Sequence, residues 1–240
     1  MPPVTMSAKF TRPVLTRSVS AEIAARIERL IATGEIEPGD RLPSERDLAD
    51  SMGVSRTSLR EAMHELEAKH LIERRPGRGT IVAPRPTHVT ALYTALSDEQ
   101  HQLRDIAELR DTIEPRIAEY AAQRATRANL IALTDSLDFS CHAMSPKDSL
   151  SRDVEFHTLV AHTAQNPLMS AINTMATSWT TTTRLLSHAT QHAREVSYRG
   201  HRLILDAIAA ADAEAAGHAM HQHLSEVNDL NRANLPIAAR

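Results

Sequence analysis

The chain has 240 residues, enough for one large or two modest domains, and its single cysteine excludes an internal disulfide framework. Aromatic residues make up only 3% and glycines number only 7, which favours helix over sheet, and no apolar run reaches the length of a membrane span. The net charge of −3 does not by itself suggest a polyanionic partner, but it is unevenly spread. Residues 1–85 hold 14 Lys and Arg against 12 Asp and Glu, whereas residues 86–240 hold 13 against 18. A nucleic-acid reader needs only a local basic patch.

Residues 1–17 contain three prolines and a few basic residues, with no apolar core of a signal peptide. They read as a flexible arm, and with the lone cysteine they point to a reducing, cytoplasmic setting. A first helix is expected over Ser18–Thr33. Its inner stripe is Ile23, Ile27, Leu30 and Ile31, and it stops at Gly34. Ser44 can cap a short second helix that carries Leu48 and Met52 on one face, and Gly53 supplies the positive φ of a sharp turn. Ser55 then caps a third helix, in which Leu59, Ala62, Met63 and Leu66 make one buried stripe. That leaves Arg56, Thr57 and Arg60 facing outward in its first turns.

Two helices joined by a tight Gly-containing turn make a helix-turn-helix, whose second helix can enter a major groove. Arginine suits guanine edges and phosphates, and hydroxyls suit phosphates. Two short strands, Leu71–Arg74 and Thr80–Ala83, are joined by the basic tip Arg75-Pro76-Gly77-Arg78-Gly79, which has the shape of a wing. Pro84 and Pro86 close the unit and open a linker over 85–98.

Beyond the linker every segment reads as helix, which predicts a bundle of six or seven helices over 99–234. The first carries Leu103, Ile106, Leu109, Ile113, Ile117 and Tyr120, with Pro115 inside it and a bend expected there. Thr126 can cap the second, with Leu130, Leu133 and Leu137 inward; Ser145-Pro146 starts the third. A fourth follows Asn166-Pro167, with Leu168, Ile172, Met175, Trp179 and Leu186 expected inward. The last two carry Ile204, Leu205 and Ile208, then Met220, Leu224, Val227 and Leu230.

Most of the 13 histidines read as surface groups, His162, His218 and His221 among them. Asp153 and His157 are four residues apart and share a helix face, while His201 and His223 fall on inward stripes. One carboxylate and three imidazoles converging in a bundle would be a metal site, although spacing alone cannot bring the four together; hydrogen-bonded core histidines are the alternative. Such donors suit Zn²⁺ first, with Ni²⁺, Mn²⁺ or Fe²⁺ as alternatives. Cys141 has no flanking cation to lower its pKa, which argues against a redox role.

Three stretches resemble known families. PSERDLADSMGVSRTSLREAMHELEAKHLIERRPGRGT is similar to the winged helix of the GntR superfamily of bacterial repressors. By that resemblance Arg46, Ser55, Arg56, Thr57, Ser58, Arg60 and Gly77, with Arg78 in the basic wing, would contact double-stranded DNA. DVEFHTLVAHTAQNPL resembles the signature of the FCD effector domain of the FadR-like branch, with Val160 where that signature has Leu, and HRLILDAIAAADAEAAGHAMHQHL is similar to that family's closing helix pair. The resemblance places the family's metal ligands on Asp153, His157, His201 and His223. It also places on Arg110 an arginine able to pair with a small carboxylate effector; a salt bridge to Glu114 is the alternative. The expectation is a mainly α protein, a winged helix-turn-helix (18–84) followed by an all-helical effector domain. It would act as a homodimeric, metabolite-controlled repressor on a palindromic operator. The rivals are a metal-dependent hydrolase fused to a DNA-binding module, and a metal-free acyl-ligand sensor. The sequence holds no H-E-x-x-H motif, and Glu155 lies off the face shared by Asp153 and His157.

Overall fold

The computed structural model describes residues 18–75, 77, 79–84, 103–138 and 144–234. Three helices come first, α1 (Val19–Ala32), α2 (Glu45–Met52) and α3 (Arg56–Ala68), then two strands, β1 (Ile72–Arg75) and β2 (Gly79–Val82). Six helices follow: α4 (Leu103–Arg124), α5 (Arg127–Asp138), α6 (Pro146–Thr163), α7 (Pro167–Ser187), α8 (Gln191–Ala209) and α9 (Ala213–Asn234). The expected arm over 1–17, the linker over 85–98, Arg78 and Cys141 lie outside the described residues.

Local chemistry explains the first unit. The Ser44 hydroxyl accepts the Asp47 N–H at 3.2 Å and caps α2; Ser55 accepts the Ser58 N–H at 3.0 Å and caps α3. Gly53 ends α2 at φ 66°, a left-handed conformation that glycine adopts without strain. Leu59, Ala62, Met63 and Leu66 are all fully buried against α1, and truncating such a side chain costs about 2–5 kcal/mol. The strands pair antiparallel, Ile72 opposite Val82 and Arg75 opposite Gly79. Each is displaced by one residue from the sequence-based expectation. His70 adopts φ 57° and the Leu71 N–H returns to the Leu66 carbonyl at 3.0 Å, so Leu71 closes the helix instead of opening the strand.

In the bundle, Ile106, Ile117, Leu133, Leu137, Phe156, Ile204, Ile208, Met220 and Leu224 are buried. Ser145 caps α6 with Pro146 at its first position, and Pro115 sits inside α4. Helix α7 departs from expectation. Leu168 and Ile172 are 62% and 40% exposed, while Asn173, Thr177, Thr180 and Arg184 are buried. The helix turns its polar stripe inward because the bundle's centre is charged, as described below. Thr180 is accommodated there by donating its hydroxyl to the Ala176 carbonyl at 2.9 Å.

Helix α1 packs on α3 on one side and on α5 and α6 on the other, so it joins the winged helix to the bundle. The junction is ionic as well as apolar. Fully buried Glu28 meets Lys69 Nζ at 3.0 Å and accepts two hydrogen bonds from Asn129 Nδ2, at 2.9 and 3.1 Å. Glu65 of α3 accepts the Thr126 hydroxyl at 2.6 Å, and Arg29 donates to Glu155 of α6 at 2.7 Å.

Candidate metal centre and nucleic-acid interface

Asp153 and His157 lie side by side on α6, one turn apart, His201 comes from α8 and His223 from α9. All four are buried, and each offers one donor atom within 4.8 Å of the others. Asp153 Oδ1 is 3.3 Å from His201 Nε2 and 3.6 Å from His157 Nε2. In a tetrahedron with metal–nitrogen bonds of about 2.0–2.1 Å, neighbouring donors stand about 3.4 Å apart, close to these two spacings, and the other donors lie within 4.8 Å. His157 Nε2, His201 Nε2 and His223 Nδ1 are buried with no hydrogen-bond partner among the described residues. Leaving three such atoms buried and unsatisfied is costly unless a ligand takes them. The donor set therefore fits a divalent cation.

The surroundings hold the donors in place. Glu114 of α4 contacts His157 Nδ1 at 2.8 Å, which leaves Nε2 as the free donor. Phe156 stacks on His201, centroids 4.3 Å apart. Gly200 lets α8 approach α9 closely, since a Cβ there would meet His223 Nδ1 at 2.4 Å. Burial pushes the His201 pKa down to about 4 and holds His223 well below its ordinary range, so both are neutral at physiological pH, the form a metal needs. Burial alone would raise Asp153, but Arg184 and His157 outweigh it and hold the carboxyl well below the usual range.

Of the sequence-expected residues, the structure brings together Asp153, His157, His201 and His223. Arg110 lies behind them. It is buried, and its Nε and Nη2 donate to Glu114 at 2.6 and 3.4 Å, a partner the sequence had offered only as a surface bridge. Glu114, Arg184 and His188 were missed. Arg184 donates to Asp153 Oδ2, and His188 Nε2 stands 3.6 Å from Asp153 Oδ1. The four-residue spacing of Arg110 and Glu114 was the one signal available; Arg184 sits behind a run of threonines that gave none. His162, expected in solvent, is instead enclosed between the two units. Its side chain is 10% exposed and 4.0 Å from Glu28, because α6 runs its far face along α1. His218 and His221 are exposed as expected.

At the other end of the molecule Arg56, Thr57 and Arg60 are exposed on the first turns of α3, with Ser55 exposed and Ser58 half-buried at the cap. Arg46 is exposed beside Asp47, and Arg60 lies 3.5 Å from Glu45. Gly77 is exposed at φ 73° at the wing tip. These groups line one end of the unit, the geometry of a helix-turn-helix that presents its second helix.

Family models match both units. A family model described as bacterial regulatory proteins, gntR family, matches residues 19–82, and the FCD domain model matches residues 105–226. The chain belongs to the GntR family of bacterial transcription regulators. It is 34% identical over 232 residues to an Escherichia coli regulator named for an L-lactate dehydrogenase operon, covering 90% of this chain and 87% of that protein. It is 31% identical to the Uxu operon transcriptional regulator of the same organism, covering 86% and 84%. The solved Streptococcus agalactiae GntR is 30% identical, covering 88% of this chain and 99% of that one, with a TM-score of 0.49. This GntR protein is a DNA-binding regulator with an FCD effector domain, not an enzyme, so the hydrolase reading falls away. Among the described residues, no helix is long and apolar enough to cross a membrane.

Proposed function

We propose that this GntR regulator is a cytosolic, dimeric repressor whose hold on a palindromic operator is set by a small organic acid. The acid docks at a divalent ion held by Asp153, His157, His201 and His223. The observation that carries this reading is the trio of buried, unpartnered imidazole nitrogens around one carboxylate oxygen. Three nitrogens and one oxygen suit Zn²⁺, with Ni²⁺, Mn²⁺ and Fe²⁺ as alternatives. When bound, the ion supplies an electrophilic docking point for a carboxylate oxygen. A metal-free acyl sensor would have no use for these four donors.

On the DNA side, Arg56, Thr57 and Arg60 are read as the groove-facing groups, with Arg46, Ser55, Ser58, Gly77 and Arg78 on the backbone. A two-fold dimer places two copies of α3 on two half-sites. Helix α6 couples the ends. It carries Asp153 and His157 on one face, and Glu155, two residues on and roughly 200° round the helix, grips Arg29 of α1. An effector that binds one placement of α6 better than another thereby shifts the winged helices.

The test joins metal analysis with gel shift. The purified chain is expected to carry about one divalent ion, to retard its own upstream DNA, and to release it with one of a panel of small acids. L-lactate is the first probe, given the relative named for its dehydrogenase. Arg56→Ala with Arg60→Ala is expected to abolish retardation. Metal-free protein that responds fully to an acid would defeat the reading.

A further inference from the structure

Glu45 joins three elements of the helix-turn-helix unit, and its contacts set Arg60 apart from the other outward arginines. It is the first residue of α2, where the start of a helix favours a negative charge. Its Oε1 accepts from Arg74 Nη2 of β1 at 3.0 Å, and Arg74 Nη1 lies 3.2 Å from Glu67 of α3. Those contacts fix a carboxylate whose side chain is 30% exposed. The other oxygen, Oε2, stands 3.5 Å from Arg60 Nε. Arg46 is paired with its exposed neighbour Asp47, and Arg56, one turn before Arg60, has no carboxylate partner among the described residues.

Which nitrogen is held decides what an arginine can do. With Nε directed at Glu45, the Nη1 and Nη2 of Arg60 are left without a partner among the described residues. Those two nitrogens make the planar fork that guanine O6 and N7 accept. An untethered arginine pairs as readily with a phosphate, which carries no sequence information. A carboxylate beside Arg60 also repels an approaching phosphate, but not a neutral base edge. An exposed ion pair adds little to stability, so the effect of Glu45 lies in direction and charge. We infer that Glu45 is a specificity residue of the DNA interface: propped by Arg74, it presents the Nη fork of Arg60 to a base edge and opposes the use of that fork on phosphate. This rests on the reading of Arg60 as a groove-facing group and adds the residue that directs it.

The experiment measures binding of the full chain, by fluorescence anisotropy, to its own upstream DNA and to a shuffled duplex of the same length and composition. Wild type, Glu45→Gln, Arg60→Ala and the double variant are compared, each well below its melting temperature. Wild type is expected to prefer the upstream DNA. Glu45→Gln is expected to bind the shuffled duplex about threefold more tightly than wild type, because a negative charge has gone, and the upstream DNA about 3- to 10-fold less tightly. Its preference for the upstream DNA therefore falls by about 10- to 30-fold. Arg60→Ala loses preference to a similar degree, and the double variant stays within about threefold of Arg60→Ala, because Glu45 acts through that arginine. A Glu45→Gln preference within about threefold of wild type overturns the assignment. So does an equal fall with and without Arg60, which would make the effect independent of it. An equal loss on both duplexes also overturns it, since Glu45 would then support the fold alone. Wild type that does not prefer the upstream DNA, or a preference untouched by Arg60→Ala, counts against the groove-facing reading itself.

Discussion

Replacing Lys69 by methionine tests the junction between the two units most directly. The Lys69 side chain is 1% exposed, its Nζ lies 3.0 Å from both Glu28 and Glu65, and Glu28 is fully buried. Methionine fills nearly the same volume, so packing is kept while the cation is lost. Among the described residues Glu28 then keeps the two hydrogen bonds from Asn129, with His162 4.0 Å away. Breaking a buried pair by removing one partner costs about 3–5 kcal/mol, because the other charge stays buried and uncompensated. At about 2–4 °C per kcal/mol for a chain of this size, thermal melting at pH 7.5 should fall by roughly 10 °C. The sign with pH follows from Glu28. Burial already raises its carboxyl pKa, with Lys69 opposing the rise, so the variant raises it further. A folded state that holds the proton more tightly than the unfolded one gains stability as pH falls. The deficit should therefore shrink between pH 7.5 and 5. Lys69→Met with Glu28→Leu should recover more than half of the loss, since an apolar pair in place of a buried ion pair is often neutral. A variant melting within 2 °C of wild type, or a deficit that does not change with pH, would refute this account of the junction.

His162 takes up a proton near 6.5 when unfolded but only near 4 when folded, because burial and then Lys69 oppose its charge. The unfolded state therefore binds more protons between those values, and stability falls as pH drops through the window by up to about 1.4 kcal/mol per unit. His162→Leu should lessen the loss between pH 7 and 5 by on the order of 2 kcal/mol in urea unfolding; parallel curves for variant and wild type would count against it. Arg29→Gln and Glu155→Gln should each keep zinc and operator binding yet weaken the effector's release of DNA by about 5-fold or more, read by gel shift with and without the acid. The charge reversal Arg29→Glu with Glu155→Arg should restore part of that response, and an unaltered response in both single variants would remove Glu155 from the coupling route. Chelation should lower the melting temperature of zinc-loaded protein by an amount equivalent to about 3 kcal/mol at an ion concentration a hundred times its dissociation constant. His223→Ala should melt at the same temperature with or without the chelator.

Much of the molecule was legible in the chain because the relevant physics is local. Ser44, Gly53 and Ser55 set the ends of α2 and α3 through caps and a left-handed turn, and the stripe from Leu59 to Leu66 needs only helical periodicity. Asp153 and His157 could be paired because one helical turn places them together whatever surrounds them. Their meeting with His201 and His223 could not be had from spacing, because it depends on how three helices pack; only the likeness of DVEFHTLVAHTAQNPL and HRLILDAIAAADAEAAGHAMHQHL to the FCD family suggested it. Periodicity misled on α7. Leu168 and Ile172 have the spacing of a buried stripe but lie in solvent, since the bundle's centre holds charges that Arg184 and Thr180 serve better. His162 misled in the other direction, because nothing near it in sequence announces that α1 will cover it.

The sequence by itself determined the elements, the caps and turn of the helix-turn-helix, and which residues could bind metal or DNA. These follow from chain-local geometry and side-chain chemistry. Only the tertiary structure decided that Glu114 braces His157, that Arg184 touches Asp153, and that Glu155 faces Arg29 while Asp153 and His157 face the candidate metal centre. Each of those contacts joins residues from different helices, and the burial that gives such contacts their strength exists only once the helices have packed.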